Sequence, residues 1–176
     1  MKNSVLLLSV VALMLLAACS TDQGSSEQVP TDPTVPAEVD AAVKEIFILT
    51  NQARAQGRDC GGSRGFMPAV PPLEWHDALG TAARLHSEDM AQRGYFDHTS
   101  PEGSSPRQRA AAAGYSGGVG ENIAAGSSTA EGTMQQWLTS PGHCANIMNP
   151  SYKYFGAGTG YNAESRFRYY WTQLFG

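Results

Sequence analysis

The chain has 176 residues, a formal net charge of −4, 16% charged residues and 19 glycines. A mildly acidic chain without a basic block argues against nucleic acid as a partner. About 135 residues remain once a targeting segment and a tether are set aside, which is enough for one domain with a core of its own.

The first residues predict export from the cytoplasm. A short n-region with Lys2 precedes an apolar run, Ser4 to Ala18, which is too short for a transmembrane helix and has the length of a signal peptide. The run ends in Leu16-Ala17-Ala18-Cys19, which resembles a bacterial lipobox whose cysteine is acylated. An ordinary signal peptide, in which Cys19 has no role, is the alternative. We expect residues 1–18 to be a signal peptide and Cys19 to anchor the protein in a membrane.

The predicted location is extracytoplasmic. The residue after the cysteine is Ser20 and not Asp, so the sorting signal resembles one for the outer membrane if the cell is Gram-negative. Residues 19–37 are rich in Ser, Thr, Pro and Asp, which predicts a flexible linker after the lipidated cysteine. Residues 38–176 then form the domain, which we expect to be monomeric.

Helices dominate the first part of the domain and strands its end. Apolar periodicity predicts helices over Glu38–Gln56 and Asp77–Arg93. Three shorter helices follow from start signals at Ser105-Pro106, at Ser128 with Glu131 as a capping box, and at Ser140-Pro141. Aromatic and Thr-rich runs predict strands over 155–161 and 167–175. This order indicates an α+β fold, with helices packed on a small sheet.

Two cysteines lie inside the domain. Cys60 and Cys144 form an even pair in a chain predicted to leave the cytoplasm, so one disulfide is the simplest prediction. The alternative is Cys144 as a nucleophile beside His143. Adjacent residues on a helix do not face each other, which argues against that alternative.

Five strings occur in an order that resembles the bacterial branch of the CAP superfamily, also called SCP/PR-1-like. The resemblance covers about residue 41 to 176. The strings are Leu73-Glu74-Trp75, Phe96 to Gly103, Gly120-Glu121-Asn122-Ile123-Ala124, Trp137 to Met148, and Tyr170 to Gly176.

The resemblance implies an α-β-α sandwich with a surface cleft, in which eukaryotic members place two His and two Glu that can hold a divalent cation. His98 matches the first histidine and Glu121 the first glutamate. The second glutamate and second histidine are replaced by Ser140 and Tyr170, so half of the set is missing. His143 could refill one place, and Asn146 shares its helix face. The predicted ligand-binding cleft consists of His98, Glu121, Asn122, Ser140, His143, Asn146 and Tyr170.

Two His and one Glu could make an open three-ligand zinc site, so His98, Glu121 and His143 are the candidate ligands for a divalent cation such as Zn²⁺. There is no His-Glu-x-x-His pair and no Gly-x-Ser-x-Gly elbow. Taken alone, His98 could instead be a hydrogen-bonded loop histidine, and Glu121 a solvated turn residue.

Three functions remain open at this point. The domain could bind a lipid, a small apolar ligand or an envelope component in its cleft. It could instead be a metal-assisted, peptidase-like hydrolase acting in the cell envelope. It could also be a structural or adhesive protein. The incomplete set of cleft residues favours binding or a structural role over catalysis.

Overall fold

The computed structural model describes residues 35–176. The predicted signal peptide, Cys19 and residues 20–34 of the predicted linker lie outside the described residues. Val35 is already buried against the core of the domain. No helix within 35–176 is long and apolar enough to cross a membrane.

Five helices and six strands make up the described part of the chain. In chain order they are α1 Ala41–Gln56, β1 Arg58–Asp59, β2 Phe66–Met67, β3 Glu74–Trp75, α2 Asp77–Arg93, α3 Pro106–Ala112, β4 Gly120–Ala125, α4 Ala130–Thr139, α5 Pro141–Ile147, β5 Tyr154–Tyr161 and β6 Tyr169–Phe175. The α+β fold predicted from the sequence is confirmed.

Local signals set most helix ends. Asp40 caps α1 by accepting hydrogen bonds from the amides of Ala42 and Val43, so the helix begins three residues after the predicted Glu38. Helix α2 has the predicted bounds. Ser105 forms a capping box with Gln108 at the start of α3. The prediction that Ser128 caps α4 was wrong by one residue, because the Thr129 hydroxyl accepts the capping bond from Gly132.

The main sheet has the strand order β3-β5-β6-β4. Strand β3 runs parallel to β5, whereas β5–β6 and β4–β6 are antiparallel. Strand β4 is therefore an edge strand, and it was not predicted from the sequence. β1 and β2 form a separate two-stranded hairpin.

Helices cover both faces of the sheet, which gives the α-β-α sandwich. Helix α2, with α3 beside it, packs on one face; α1, α4 and α5 cover the other. Directly opposed residues of neighbouring strands share a face. Thr172 is hydrogen-bonded to Ser87 of α2, so its opposed partners Ile123 and Gly158 also face α2. Gln173 is bonded to Thr50 of α1, so Asn122 faces the α1 layer.

Candidate functional site

Strand β4 places two predicted site residues on opposite faces of the sheet. Side chains alternate along a strand, so Glu121 faces the α2–α3 layer and Asn122 faces the layer of α1, α4 and α5. Because β4 is at the edge of the sheet, groups from both layers can meet around its free side. The candidate site is built around this edge.

His98 and Glu121 are in direct contact, although 23 residues separate them. His98 lies in the loop between α2 and α3, and its Nδ1 is 2.8 Å from Oε1 of Glu121. The imidazole is 49% exposed, whereas the Glu121 side chain is only 2% exposed. The hydrogen bond with Glu121 raises the pKa of His98 above its ordinary value. Glu121 is thus a buried carboxylate that orients a half-exposed histidine.

Arg109 completes this group and was not predicted from the sequence. Its Nη2 is 2.7 Å from Oε2 of Glu121, and it also donates to the carbonyls of Ser104 and His98. The guanidinium neutralises the buried carboxylate and fixes the backbone of the His98 loop at the same time. Twelve residues separate Arg109 from Glu121, and no periodic pattern connects a short alanine-rich helix to an edge strand. The positive charge of Arg109 was the one feature in the sequence that could have suggested a pair with Glu121.

His143 lies on α5, in the layer on the other side of β4. Burial lowers the pKa of His143, and the charge of His98 lowers it further. The backbone carbonyl of His143 accepts a hydrogen bond from Asn122, the residue that follows Glu121 on β4. We call His98, Glu121, Arg109 and His143 the His98 site.

Asn122 and Asn146 hold α5 against β4. The Asn146 side chain donates to Oδ1 of Asn122 and to the carbonyl of Glu121. Asn122 donates in turn to the carbonyl of His143 and to Oε1 of Gln173. Asn122 is completely buried. The hydrogen bonds of Asn122 and Asn146 fix the backbone of α5 on β4, and they position His143 in this way.

Ser140 and Tyr170 make no side-chain hydrogen bond to this group among the described residues. Ser140 is the N-cap residue of α5 and makes no side-chain capping bond. Tyr170 is completely buried beside Met90 and Ile123, and its hydroxyl has no partner among residues 35–176. The fold thus uses Tyr170 as a core residue under the α2 layer.

The described side chains do not fit a metal at the His98 site. Both carboxylate oxygens of Glu121 are already engaged, one by His98 and the other by Arg109. A guanidinium at 2.7 Å from the carboxylate would repel a divalent cation placed on it. Within residues 35–176, no three His, Cys, Asp or Glu side chains are grouped so that they could hold a metal ion. Zinc at His98, Glu121 and His143 stays a prediction that this geometry does not favour.

The predicted disulfide is confirmed. Cys60 and Cys144 are bonded, with Cα atoms 5.5 Å apart. The alternative of Cys144 as a nucleophile was wrong, because its sulfur is used in this bond. The disulfide ties the segment after β1 to α5, next to His143.

Two grooves lie away from the His98 site. One, of about 240 Å³, runs between α1 and α4 and includes Leu49 and Met134. The other, of about 440 Å³, lies between the N-terminal parts of α1 and α2 and includes Trp75. None of the residues predicted to bind a ligand lines either groove. The predicted ligand-binding cleft and these two grooves are therefore different parts of the described surface.

Known proteins are similar to this chain in sequence or in fold. The uncharacterized protein YkwD of Bacillus subtilis is 34% identical over 135 residues, which are 76% of this chain and 48% of that protein. An extracellular protein containing an SCP domain from Bacillus anthracis is 31% identical, with a TM-score of 0.59, and the match covers 76% of this chain and 39% of that one. The chain thus spans less than half the length of these two relatives.

A more distant structure shows the fold alone. An outer surface protein of Borrelia burgdorferi has a TM-score of 0.59 at 20% identity, covering 78% of this chain and 95% of that one. The profile of CAP, the cysteine-rich secretory protein family, matches residues 48–175, which span nearly all of the described domain. With the helix-sheet-helix layers and the five sequence strings, this match establishes that the chain belongs to the CAP family.

Proposed function

We propose that the domain is an extracytoplasmic binding module that recognises an envelope component at the His98 site. The observation that carries this proposal is the half-exposed imidazole of His98, fixed by a buried Glu121–Arg109 pair. A buried ion pair that holds one exposed side chain in place preorganises a contact surface, which lowers the entropy lost on binding. The exposed side of the site then offers a hydrogen-bonding group in a fixed position.

The charges of the site favour a polar ligand over an apolar one. When His98 is protonated, it and Arg109 carry two positive charges, which the negative charges of Glu121 and the neighbouring Asp97 balance, while burial favours the neutral form of His143. We therefore infer a hydroxyl-rich envelope polymer as the ligand, since a site of charged and hydrogen-bonding groups without net charge suits neutral polar groups. A lipid or a small apolar molecule, both open from the sequence, would find few apolar groups among these four side chains.

The extracytoplasmic location is part of this proposal. A disulfide is stable in an oxidising compartment, and Cys60–Cys144 is such a bond. The signal-like segment 1–18 and the lipobox-like cysteine point the same way. The relative from Bacillus anthracis is described as an extracellular protein. We propose that Cys19 carries the lipid that keeps the domain near the envelope.

Co-sedimentation tests the binding proposal. The mature protein with Cys19→Ala, which carries no lipid anchor, is mixed with protein-free, insoluble envelope polymer or with zwitterionic lipid vesicles, and the pelleted fraction is measured at pH 6. We expect binding to the polymer and a loss of about fivefold or more in affinity for His98→Gln, which removes a charged hydrogen bond. The matched control is Lys153→Gln, which removes one positive charge from an exposed residue elsewhere.

Two outcomes would overturn the binding proposal. One is equal pelleting of wild type and His98→Gln, because the imidazole would then have no part in binding. The other is pelleting with the vesicles alone, which would assign the affinity to lipid and not to the polymer.

One observation favours hydrolysis as a second candidate. Nδ1 of His98 faces a carboxylate, and Nε2 has no hydrogen-bond partner among residues 35–176. That arrangement lets a histidine accept a proton from water, with the carboxylate holding the correct tautomer. Among the described residues, no serine or cysteine side chain is hydrogen-bonded to the His98 ring. Hydrolysis of a panel of ester and peptide substrates that is lost in His98→Gln would support this role; equal rates in both proteins would exclude it.

A further inference from the structure

A second part of the molecule offers unused hydrogen-bonding groups of the backbone. Tyr154 of β5 and Gly176 exchange two backbone hydrogen bonds of 2.9 Å. The register continues without a bulge to Tyr161, so even-numbered residues of β5 direct their N–H and C=O groups toward β6. The odd-numbered residues direct theirs to the opposite side. The hydrogen bond from the amide of His76 to the carbonyl of Phe155 confirms this alternation.

Strand β3 covers only the first part of that opposite side. It ends at Trp75, opposite Phe155, and the chain then turns into α2. The N–H and C=O groups of Ala157 and Thr159 therefore point to an edge where residues 35–176 provide no strand. Ala157, Gly158 and Thr159 line the groove of about 440 Å³ between α1 and α2. We call it the β5-edge groove.

The walls of the β5-edge groove are apolar near the sheet and acidic near the helix ends. Val39, Val43 and Trp75 supply the apolar part. Three carboxylates line it as well, on Glu38, Asp40 and Asp77. Arg84 is also on the wall, but its guanidinium is paired with Glu88 at 2.8 Å. The uncompensated charge of the groove is negative.

We propose that the β5-edge groove binds an extended, cationic peptide segment of a partner protein, which adds a strand to β5. An extended peptide supplies the alternating N–H and C=O groups that the edge at Ala157 and Thr159 lacks. Its basic side chains reach the carboxylates at the helix ends, and its apolar ones contact Trp75 and the valines. A small ligand without amide groups would leave the strand edge unpaired.

The chain's own residues 20–34 are a poorer match for the groove, although they join the domain at Val35. They include Asp22, Glu27 and Asp32 and no basic residue. Pro30 and Pro33 have no N–H to donate to a strand edge. Like charge and missing donors therefore favour a segment from another protein.

The test uses a synthetic peptide of three Lys-Val repeats with blocked ends, titrated into the whole mature chain. Binding is followed by the NMR shift of the indole N–H of Trp75, which lines the groove, and by amide NMR shifts of Ala157 and Thr159. We expect saturable binding that moves both amides. The same peptide with N-methyl groups on alternate residues should bind about tenfold more weakly or worse, because it cannot complete the ladder.

Charge is tested on the protein with isosteric changes. The variant Glu38→Gln, Asp40→Asn, Asp77→Asn removes three charges while Asn keeps the helix cap at position 40. The triple variant should bind the Lys-Val peptide about tenfold more weakly than wild type does at low salt. A peptide of Asp-Val repeats should bind wild type no more tightly than the Lys-Val peptide binds the triple variant. The control is His98→Gln, which should bind the peptide like wild type, so that failure of this proposal and of the proposed function remain distinguishable.

Three results would overturn the proposal. Equal affinity of the N-methylated peptide would mean that the strand edge is not used. Shifts confined to residues outside the groove would place the peptide elsewhere. Binding that appears only after deletion of residues 20–34 would make the chain's own segment the occupant.

Discussion

His98 and Glu121 form an ion pair whenever the imidazole is protonated, and this makes stability depend on pH. The hydrogen bond with Glu121 raises the pKa of His98 in the folded protein. Its stabilisation is complete below the unfolded pKa, about 6.5, and is lost as pH rises through the higher folded pKa. We therefore predict that His98→Gln lowers the free energy of unfolding more at pH 6 than at pH 8.5, by about 0.5 kcal/mol, since the ring is half exposed.

Urea denaturation of both proteins at the two pH values measures this difference. Burial lowers the pKa of His86 and of His143, so protonating them in acid disfavours the fold. The comparison therefore uses the difference between variant and wild type, in which the contribution of His86 cancels. Removing the charge of His98 also relieves part of the lowering of the His143 pKa, and that relief adds to the measured difference at the acid end. Lys153→Gln serves as the charge control and should show the same difference at both pH values. A His98→Gln effect that is independent of pH would contradict the ion pair.

The packing of α2 on β5 depends on three glycines that face the helix. A Cβ added at Gly156, Gly158 or Gly160 would overlap the backbone of α2, because no side chain separates the strand from the helix there. We predict that Gly158→Ala lowers the free energy of unfolding by about 2 kcal/mol, the cost of forcing two packed backbones apart. Chemical denaturation measures it.

The matched control is Gly142→Ala in α5. A Cβ at Gly142 meets nothing within 4 Å. Because Ala is a better helix former than Gly, this change should leave the stability equal or slightly higher. If the two variants are equally stable, the close contact between α2 and β5 does not limit the fold.

Elements with local signals were predicted correctly from the sequence. Helix α2 has an apolar face and ends at Gly94 in the left-handed conformation, and α3 has a capping box and a proline at its start. Strand β4 has no such signal, because its Gly-Glu-Asn segment becomes a strand only by pairing with β6, about fifty residues later. Glu121 was for that reason expected in a turn or a cleft.

Part of the candidate site could be predicted from the sequence, and part of it depends on tertiary contacts that the sequence does not reveal. The resemblance to the CAP family identified His98 and Glu121, which the structure brings into contact. Arg109 could not be paired with Glu121 before α3 was placed beside β4, since that contact is tertiary. Arg54 is a similar case: it is completely buried and donates to the carbonyl of Pro71 in the loop before β3 and to those of Ile147 and Asn149 at and after the end of α5. Neither arginine stands out in the linear sequence.

Across the whole molecule, one disulfide links segments that are 84 residues apart. A cross-link over so long a loop restricts the unfolded chain strongly, by about 3–5 kcal/mol of stability in the loop-entropy view. We predict a loss of that size for the double variant Cys60→Ala, Cys144→Ala, measured by urea denaturation. Wild type in the presence of a reductant should behave like the variant. A double variant within about 0.5 kcal/mol of wild type would show that the folded helices alone hold α5 in place.

The proposed attachment of the molecule to a membrane depends on Cys19, which lies outside the described residues. The string Leu16-Ala17-Ala18-Cys19 predicts acylation after cleavage of residues 1–18, and two acyl chains hold a protein on a membrane stably. Cys19→Ala should therefore release the protein into the aqueous phase or leave an unprocessed precursor, as judged by detergent phase partitioning and intact mass. The double variant Cys60→Ala, Cys144→Ala is the control and should stay with the detergent phase, because it retains Cys19. A wild-type protein found wholly in the aqueous phase, with no added acyl mass, would instead identify an ordinary signal peptide, and the binding at the His98 site would then belong to a protein free to diffuse away from the cell.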